Sequence, residues 1–255
     1  MRYPFYIRAV APFSITACAP AFNEAGNVER VIRALDETLR AAGVDYEIII
    51  VDDGSRDGTA DVLGRLAAEL ASLRVVAHAA NEGYGKSLRD AFDAATKDYV
   101  FYTDGDGQFD LGEMRAFLPL LDGGNAVVGY RVGRAEGALR RFTSWGYNLL
   151  VRVLFGLKLR DIDCSFKFLP RRQLQALELS SDKFFIDTEL MVKLKRAGVP
   201  AAERGVRHLP REHGRSTVSP AHVFTTLGEI IGLLREFRKK EAGPEKGPPE
   251  SQEAD

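Results

Sequence analysis

Short apolar runs alternate along the first half of the chain with longer stretches in which apolar residues return every three or four positions. "FSITACA" (13–19), "YEIIIVD" (46–52), "LRVVAH" (73–78), "YVFYTD" (99–104) and "NAVVGY" (125–130) are apolar and rich in β-branched residues. Such runs are the pattern of strands buried on both faces. Between them, Val28, Val31, Ile32, Leu35 and Leu39 share one helical face, with Asn27 at the N-cap position. Val62, Leu63, Leu66 and Leu70 form a second face opened by Asp57 or Thr59, and Leu88, Ala91, Phe92 and Ala95 a third. Strand, helix, strand in this order predicts βαβ units: an α/β fold with a mainly parallel central sheet flanked by helices. Past residue 130 the pattern changes. "TSWGYNLLVRVLFGL" reads as an amphipathic helix and "DIDCSFKFLP" as a strand leaving a carboxylate-rich turn. "FFIDTELMVKLKRAG" opens a helix closed by Gly198, "REHGRSTVS" is a basic loop, and 220–239 form a last amphipathic helix. The expected organisation is an extension over 1–12, one domain over 13–239 and a tail over 240–255. The tail's Pro, Gly and Glu, without large apolar residues, predict disorder.

Composition narrows the classes. With 35 basic and 36 acidic residues, nothing global favours nucleic acid. Two cysteines are too few for a disulfide framework and suggest a reducing compartment. The opening "MRYPFYIRAVAPF" lacks the long apolar core of a secretory leader, and no apolar run reaches the roughly 20 residues of a membrane span. The expectation is a protein either soluble or peripheral on a membrane. Charge is uneven, however: between Arg134 and Arg160 lie six basic residues against Glu136 alone.

In a parallel sheet, ligands bind beyond the carboxyl ends of the strands, and polar loops follow those ends here. The first strand runs into "PAFNEAGN", with Asn23 and Glu24 before a helix. The second runs into "VDDGSRDGT", where Asp52 and Asp53 are placed to accept from a base or ribose, or to build the turn. "NEGYGKS" (81–87) brings glycines and Lys86 to a helix start, the setting that attracts phosphate, but it lacks the Walker frame. "TDGDGQFD" packs Asp104, Asp106 and Asp110 together. A calcium loop starting at Asp104 requires glycine at its sixth position and glutamate at its twelfth; Phe109 and Arg115 stand there instead. What remains is a D-x-D behind an apolar strand. Mg²⁺ or Mn²⁺ binds such a pair together with substrate phosphates, and Asp110 is left to cap the next helix.

The ordered series P-A-F-N-E, V-D-D-G-S-x-D-G-T, N-E-G-Y-G-K and D-G-D-G-Q resembles family 2 glycosyltransferases of the GT-A, Rossmann-like fold. The likeness runs over about 13–235, nearest the dolichol-phosphate mannosyltransferase branch, whose acceptor is a polyprenyl phosphate. It implies a nucleotide-sugar pocket lined by Pro20, Phe22, Glu24, Val51, Asp53, Asn81, Lys86, Gly105 and Gln108. It implies a cation on Asp104 and Asp106 with Gln108, and catalytic roles for Asp104, Asp106, Arg131 (in "VVGYR") and Arg211 (in "REHGRST"). Thr217 stands where the mannosyltransferase pattern has lysine, with Arg215 the nearest cation, and Phe22 replaces a frequent tyrosine. Mannose from GDP-mannose and glucose from UDP-glucose both stay open as donors.

The implied reaction is inverting transfer to a phosphate, which is already ionised and needs no strong base. Arg215 and Ser216 are candidates to hold that phosphate. A saccharide or protein hydroxyl acceptor would require a base, for which Asp161, Asp163, Asp187 and Glu189 are candidates. A non-catalytic nucleotide-sugar-binding subunit is the third reading, and the intact acidic and arginine set opposes it. Arg140, Arg141, Arg152 and Lys158 around an apolar helix suit an anionic membrane surface, as does the last helix with its "RKK". The expected location is peripheral, on the cytoplasmic face, alone or with a membrane-anchoring subunit.

Overall fold

The computed structural model describes residues 13–133, 138–210 and 222–242, with side chains for all of these except 138–142, 222–227 and 239–242. In chain order the elements are β1 (Ile15–Ala21), α1 (Val28–Ala42), β2 (Tyr46–Asp52), α2 (Thr59–Glu69), β3 (Leu73–Ala77), α3 (Tyr84–Ala94), β4 (Tyr99–Thr103) and the single turn α4 (Met114–Phe117). They continue with β5 (Ala126–Val132), α5 (Ala138–Phe155), β6 (Phe166–Pro170), α6 (Arg171–Gln175), α7 (Ile186–Arg196), β7 (Ala201–Arg207) and α8 (His222–Ala242). The chain divides after Arg215 into two compact units, the second containing α8.

The first unit is built on one seven-stranded sheet in the order β3-β2-β1-β4-β6-β5-β7. All neighbours run parallel except β6, which is antiparallel to both β4 and β5. The carboxyl ends of β1, β2, β4, β5 and β7 therefore share an edge with the amino end of β6. The carboxylate-rich turn "DIDCS" enters the sheet at that same edge.

Alternation along each strand divides the interior into two layers. On one side, Ile15, Ala17, Ile48, Ile50 and Phe101 meet Val31, Ile32, Leu35 and Leu39 of α1 and Leu63 and Leu66 of α2. Phe101, Phe166, Phe168 and Phe117 close this layer, with ring centroids 4.6–6.0 Å apart. On the other side, Phe92 of α3 meets Tyr102 edge-on at 5.5 Å. Lys167 stands opposite Tyr102 in the β4–β6 register and is fully buried. Among the described residues, no helix is long and apolar enough to cross a membrane. Cys18 and Cys164 are free and buried.

Candidate active site

The four loops are stitched to one another by hydrogen bonds that fall on the predicted residues. After β1, Asn23 takes a left-handed conformation (φ 56°). Its amide donates to Ser55 Oγ at 2.9 Å, and its Oδ1 accepts from the Arg56 amide at 2.8 Å. Glu24 accepts from Asn27 Nδ2 at 2.6 Å while its own amide donates to Thr59 Oγ1 at 2.9 Å. Asn27 thus occupies the N-cap position of α1 but bonds Glu24 rather than a helix amide. Asp57 accepts from the Thr59 amide at 3.1 Å and starts α2.

Asp53 is nearly fully buried, and its carboxylate binds protein groups. Oδ1 accepts from the Glu82 amide at 2.8 Å, and Oδ2 from the Gly83 amide at 2.9 Å. His78 Nδ1 lies 2.8 Å from Oδ1, and its Nε2 lies 2.8 Å from Asp90 Oδ2. Burial pulls the His78 pKa down, but the bonds to Asp53 and Asp90 outweigh it and raise the value. Lys86, predicted to face phosphate, pairs with Asp90 at 2.6 Å. Asn81 is exposed, and its backbone passes so close to Gly54 that a Cβ there would lie 2.8 Å from the Asn81 nitrogen. Pro20 and Val51 are register partners on β1 and β2, Val51 fully buried; Phe22 is partly exposed beyond them.

Beyond β4, Gly105 crosses so close to β1 that a Cβ would stand 2.5 Å from the Pro20 carbonyl oxygen. Only glycine lets the D-x-D loop lie there. Asp106 Oδ1 accepts from the Gln108 amide at 3.0 Å. Gln108 gives its side-chain nitrogen to the Leu209 carbonyl at 3.2 Å and its carbonyl to the Leu209 amide at 2.7 Å. The end of β7 is thereby tied to the D-x-D loop. Asp110 accepts from the Gly112 amide at 3.1 Å and caps the next turn.

Asp104 is the most perturbed of these groups. Tyr84 Oη donates to it at 3.0 Å and lies 3.3 Å from Ser165 Oγ. Burial, then the charges of Asp106 and Asp187, push its pKa up to about 7. Asp163 is pushed up to about 7 as well, by burial and then by Asp187. Asp187 in turn is bound by Lys167 and by the Tyr102 hydroxyl, with Lys167 Nζ 2.7 Å from Tyr102 Oη. Arg131 grips Asp161 through Nε and Nη2, both at 2.8 Å, and Asp161 also accepts the Arg131 amide at 3.1 Å. Among the described residues its Nη1 has no acceptor, so one arm of the fork is left for another anion.

Among the described residues, the carboxylates of Asp104, Asp106, Asp161, Asp163 and Asp187 outnumber the cations Arg131 and Lys167, a balance that a divalent cation would relieve. Among the described residues, no three His, Cys, Asp or Glu side chains gather closely enough to hold a metal by themselves. Two carboxylates awaiting further oxygens fit a cation that arrives with a diphosphate.

Residues 16–177 match the family described as glycosyl transferase family 2. The chain belongs to that family. This family 2 chain is 32% identical over 211 residues to glycosyltransferase AglD of Haloferax volcanii, covering 79% of the chain and 34% of that protein. It is 28% identical over 223 residues to the undecaprenyl-phosphate 4-deoxy-4-formamido-L-arabinose transferase of Pseudomonas fluorescens, covering 86% of the chain and 64% of that protein. It therefore spans between about a third and two thirds of the length of these relatives. Among solved structures, Mycobacterium tuberculosis glucosyl-3-phosphoglycerate synthase in complex with Mn²⁺ and UDP-glucose shares the fold. There the TM-score is 0.64 and the identity 22%, over 88% of this chain and 78% of that one.

Other predicted residues of the family 2 chain fall outside the carboxylate cluster. Glu189 of α7 accepts from the Ser180 and Ser181 amides, both at 2.9 Å, and from Lys193 at 2.7 Å. Burial would raise its pKa, but Lys193 and those amides lower it, the state of a loop anchor rather than of a base. Arg152 donates to the Leu159 and Arg160 carbonyls at 2.6 and 2.8 Å. Arg211, Arg215 and Ser216 lie outside the described residues. Conversely, Tyr84, Ser165, Lys167 and His78 carry the site without having been singled out for it. Tyr84 carries no sequence signal beyond its place in the glycine loop. For Lys167 the signal is a lone cation inside the apolar run "SFKFLP".

Proposed function

We propose that this chain moves a hexosyl group, mannose or glucose, from a nucleoside-diphosphate sugar to the phosphate of a polyprenyl, dolichyl-type lipid, with inversion at the anomeric carbon. The observation that carries the reading is the clustering of Asp104 with Asp106 and Asp187 at the sheet edge, close enough for their charges to raise the Asp104 pKa, in a family 2 chain. The relatives' names support the lipid acceptor: one is an undecaprenyl-phosphate sugar transferase.

Asp104 and Asp106, with Gln108, would hold Mg²⁺ or Mn²⁺. When bound, that ion supplies Lewis-acid stabilisation for charge gathering on the departing diphosphate. Tyr84 and Ser165 keep Asp104 turned toward it. Arg131 Nη1, steadied by Asp161, offers a charge-assisted hydrogen bond to a phosphate oxygen. Pro20, Phe22 and Glu24 border the space for the nucleotide, and Asp53 shapes it from behind by holding Glu82 and Gly83. Arg211, Arg215 and Ser216 would meet the acceptor phosphate. Because that acceptor is already an anion, no residue has to remove its proton. The reading puts the protein at the cytoplasmic face of a membrane, peripheral, with or without an anchoring subunit.

A second reading rests on Asp163. A carboxyl held near 7 is suited to take a proton from a hydroxyl, which favours a saccharide or protein acceptor in cell-envelope glycan synthesis. One experiment divides the two. Purified protein with Mn²⁺ or Mg²⁺ is offered GDP-mannose, UDP-glucose and UDP-GlcNAc, with a polyprenyl phosphate or an oligosaccharide. Transfer to the lipid from at least one donor is expected, and its rate should survive Asp163→Asn. Failure with lipid for every donor, beside transfer to the oligosaccharide, sinks the lipid-phosphate reading.

A further inference from the structure

We infer that His78 is a positioning residue for the nucleotide donor: by holding Asp53 it sets the shape of the loop over residues 79–82 that borders the nucleotide's place. The role rests on the proposed function for its ligand and on geometry for its mechanism. All four residues of that loop are exposed, and none belongs to a helix or strand. Such a segment keeps one shape only where other groups hold its backbone. Its start is fixed by the His78 amide, which donates to the Asp52 carbonyl at 2.9 Å. Its middle packs backbone to backbone on Gly54, where a Cβ would lie 2.5 Å from the Ala80 carbonyl carbon. Its end hangs on the Asp53 carboxylate through the Glu82 and Gly83 amides. Asn81, which the family likeness puts at the nucleotide, lies between these fixings.

The His78 side chain is 7% exposed and spans two carboxylates, with Nδ1 2.8 Å from Asp53 Oδ1 and Nε2 2.8 Å from Asp90 Oδ2. An ionised carboxylate only accepts, so the ring bonds both by donating from both nitrogens, as imidazolium. A neutral ring has one bare nitrogen and must turn a lone pair toward one of the two anions. The charged groups around it are Asp53 at the end of β2 and Asp90 and Lys86 on α3; Lys86 bonds Asp90 at 2.6 Å and lies 3.9 Å from Glu82. Burial pulls the His78 pKa down, and the two carboxylates outweigh it and raise the value. The bridge is therefore whole below the ordinary 6.5 and loses one of its bonds as pH climbs through the raised value.

The D-x-D side of the site is held by a different set of groups. The Gly85 amide donates to the Asp182 carbonyl at 2.9 Å, and Arg89 of α3 bonds the Ser181 carbonyl and the Asp182 carboxylate. Tyr84, which reaches Asp104 at 3.0 Å, starts that helix and shares its anchorage. Disturbing His78 therefore loosens the nucleotide's side and leaves the D-x-D side in place. Donor affinity is expected to change more than turnover at saturation.

The full chain and its His78→Gln variant are titrated calorimetrically with UDP and with GDP, each with Mn²⁺, from below pH 6.5 into the mildly alkaline range. Below 6.5 the parent should bind its better nucleotide about tenfold more tightly than the variant, the scale of one lost bond to a charged group. The two affinities should converge as pH rises. Ionisation of the diphosphate and of Asp104 is common to both proteins and cancels in the ratio. Asp90→Asn keeps the ring but removes an anion that holds its proton, so the convergence should begin at lower pH. In the transfer assay the donor KM of His78→Gln should rise by more than kcat falls. Hydrogen exchange without nucleotide should show faster exchange of the Glu82 and Gly83 amides in His78→Gln, with Gly85 unchanged. Equal affinities below 6.5, a ratio flat with pH, an unmoved midpoint in Asp90→Asn or unchanged exchange at Glu82 and Gly83 each overturn the role of His78. A parent that binds neither nucleotide overturns it together with the proposed function. A parent that binds beside a variant that matches it overturns the role of His78 alone.

Discussion

Lys167 has no exposed surface, yet it carries a charge between two phenylalanines of β6. Its ammonium is satisfied by Asp187 and by Tyr102 Oη. Removing one member of a buried pair strands the other, at a cost of about 3–5 kcal/mol. Lys167→Met is expected to lose about that much in urea unfolding, and adding Asp187→Asn should recover a large part of it. Full wild-type stability in Lys167→Met would show that Asp187 is not held as an anion. From sequence alone Lys167 was out of reach. Alternation in "SFKFLP" reads as a half-exposed strand with lysine outward, and Asp187 is twenty positions further on. Asp104 and Asp106 could be singled out because a D-x-D spans three residues at a strand end. For them the expectation is different. Asp106→Ala should lower kcat about a hundredfold or more, the scale of lost Lewis-acid stabilisation. It should cost well under the loss expected for Lys167→Met in stability, since Asp106 is half-buried in a loop outside the core. An Asp106→Ala protein with unchanged metal-dependent turnover would remove the cation from this loop.

At the scale of elements, the loops act as a braced set. Glu189 of α7 holds Ser180 and Ser181, the Asp182 carbonyl accepts the Gly85 amide at 2.9 Å, and α3 then carries Tyr84 to Asp104. The strands read from apolar runs lie within about two residues of those runs, because the runs end where the sheet ends, whereas β7, with Glu203 and Arg204 in its middle, was not read as a strand. The antiparallel sense of β6 was not legible either, since a short apolar run carries no mark of its partner's direction. Two predictions belong here. In Gly105→Ala the added Cβ would clash with the Pro20 carbonyl oxygen and part the D-x-D loop from β1. Turnover is expected to fall at least about tenfold with little loss of the main unfolding transition, because displacement of about 1 Å at reacting groups is costly. The second concerns pH. His78, bridging Asp53 and Asp90, has a pKa raised above the ordinary 6.5. Its bridge therefore contributes fully below 6.5 and is lost as pH climbs through the raised value. The unfolding free energy of the parent minus that of His78→Gln should shrink across that window. A difference that grows with pH would mean the imidazole is neutral in the folded protein.

At the scale of the molecule, the acidic edge is an incomplete site by construction. Asp104 and Asp106 supply two carboxylates, Asp187 adds repulsion while its own charge is answered by Lys167, and no third His, Cys, Asp or Glu completes a metal cluster among the described residues. A divalent cation alone should then bind loosely. A nucleoside diphosphate alone meets Arg131 but also the carboxylates of Asp104 and Asp106, whose proximity disfavours further negative charge. Bound together, each removes the other's penalty, so their binding free energies must be coupled, and equally in both directions. Thermal unfolding measures this directly. Mn²⁺ alone and GDP or UDP alone should each move the Tm little. The pair at about 100 times its joint Kd should add about 2.7 kcal/mol of stability, which for a chain of this size is a rise of roughly 5–10 °C. The nucleotide whose coupling with Mn²⁺ is larger identifies the donor's base before any sugar is tested. In Asp106→Ala the coupling should vanish while the nucleotide's own small shift persists. Purely additive shifts in the parent would mean that the cation and the diphosphate do not share ligands, and the D-x-D loop would then need another task.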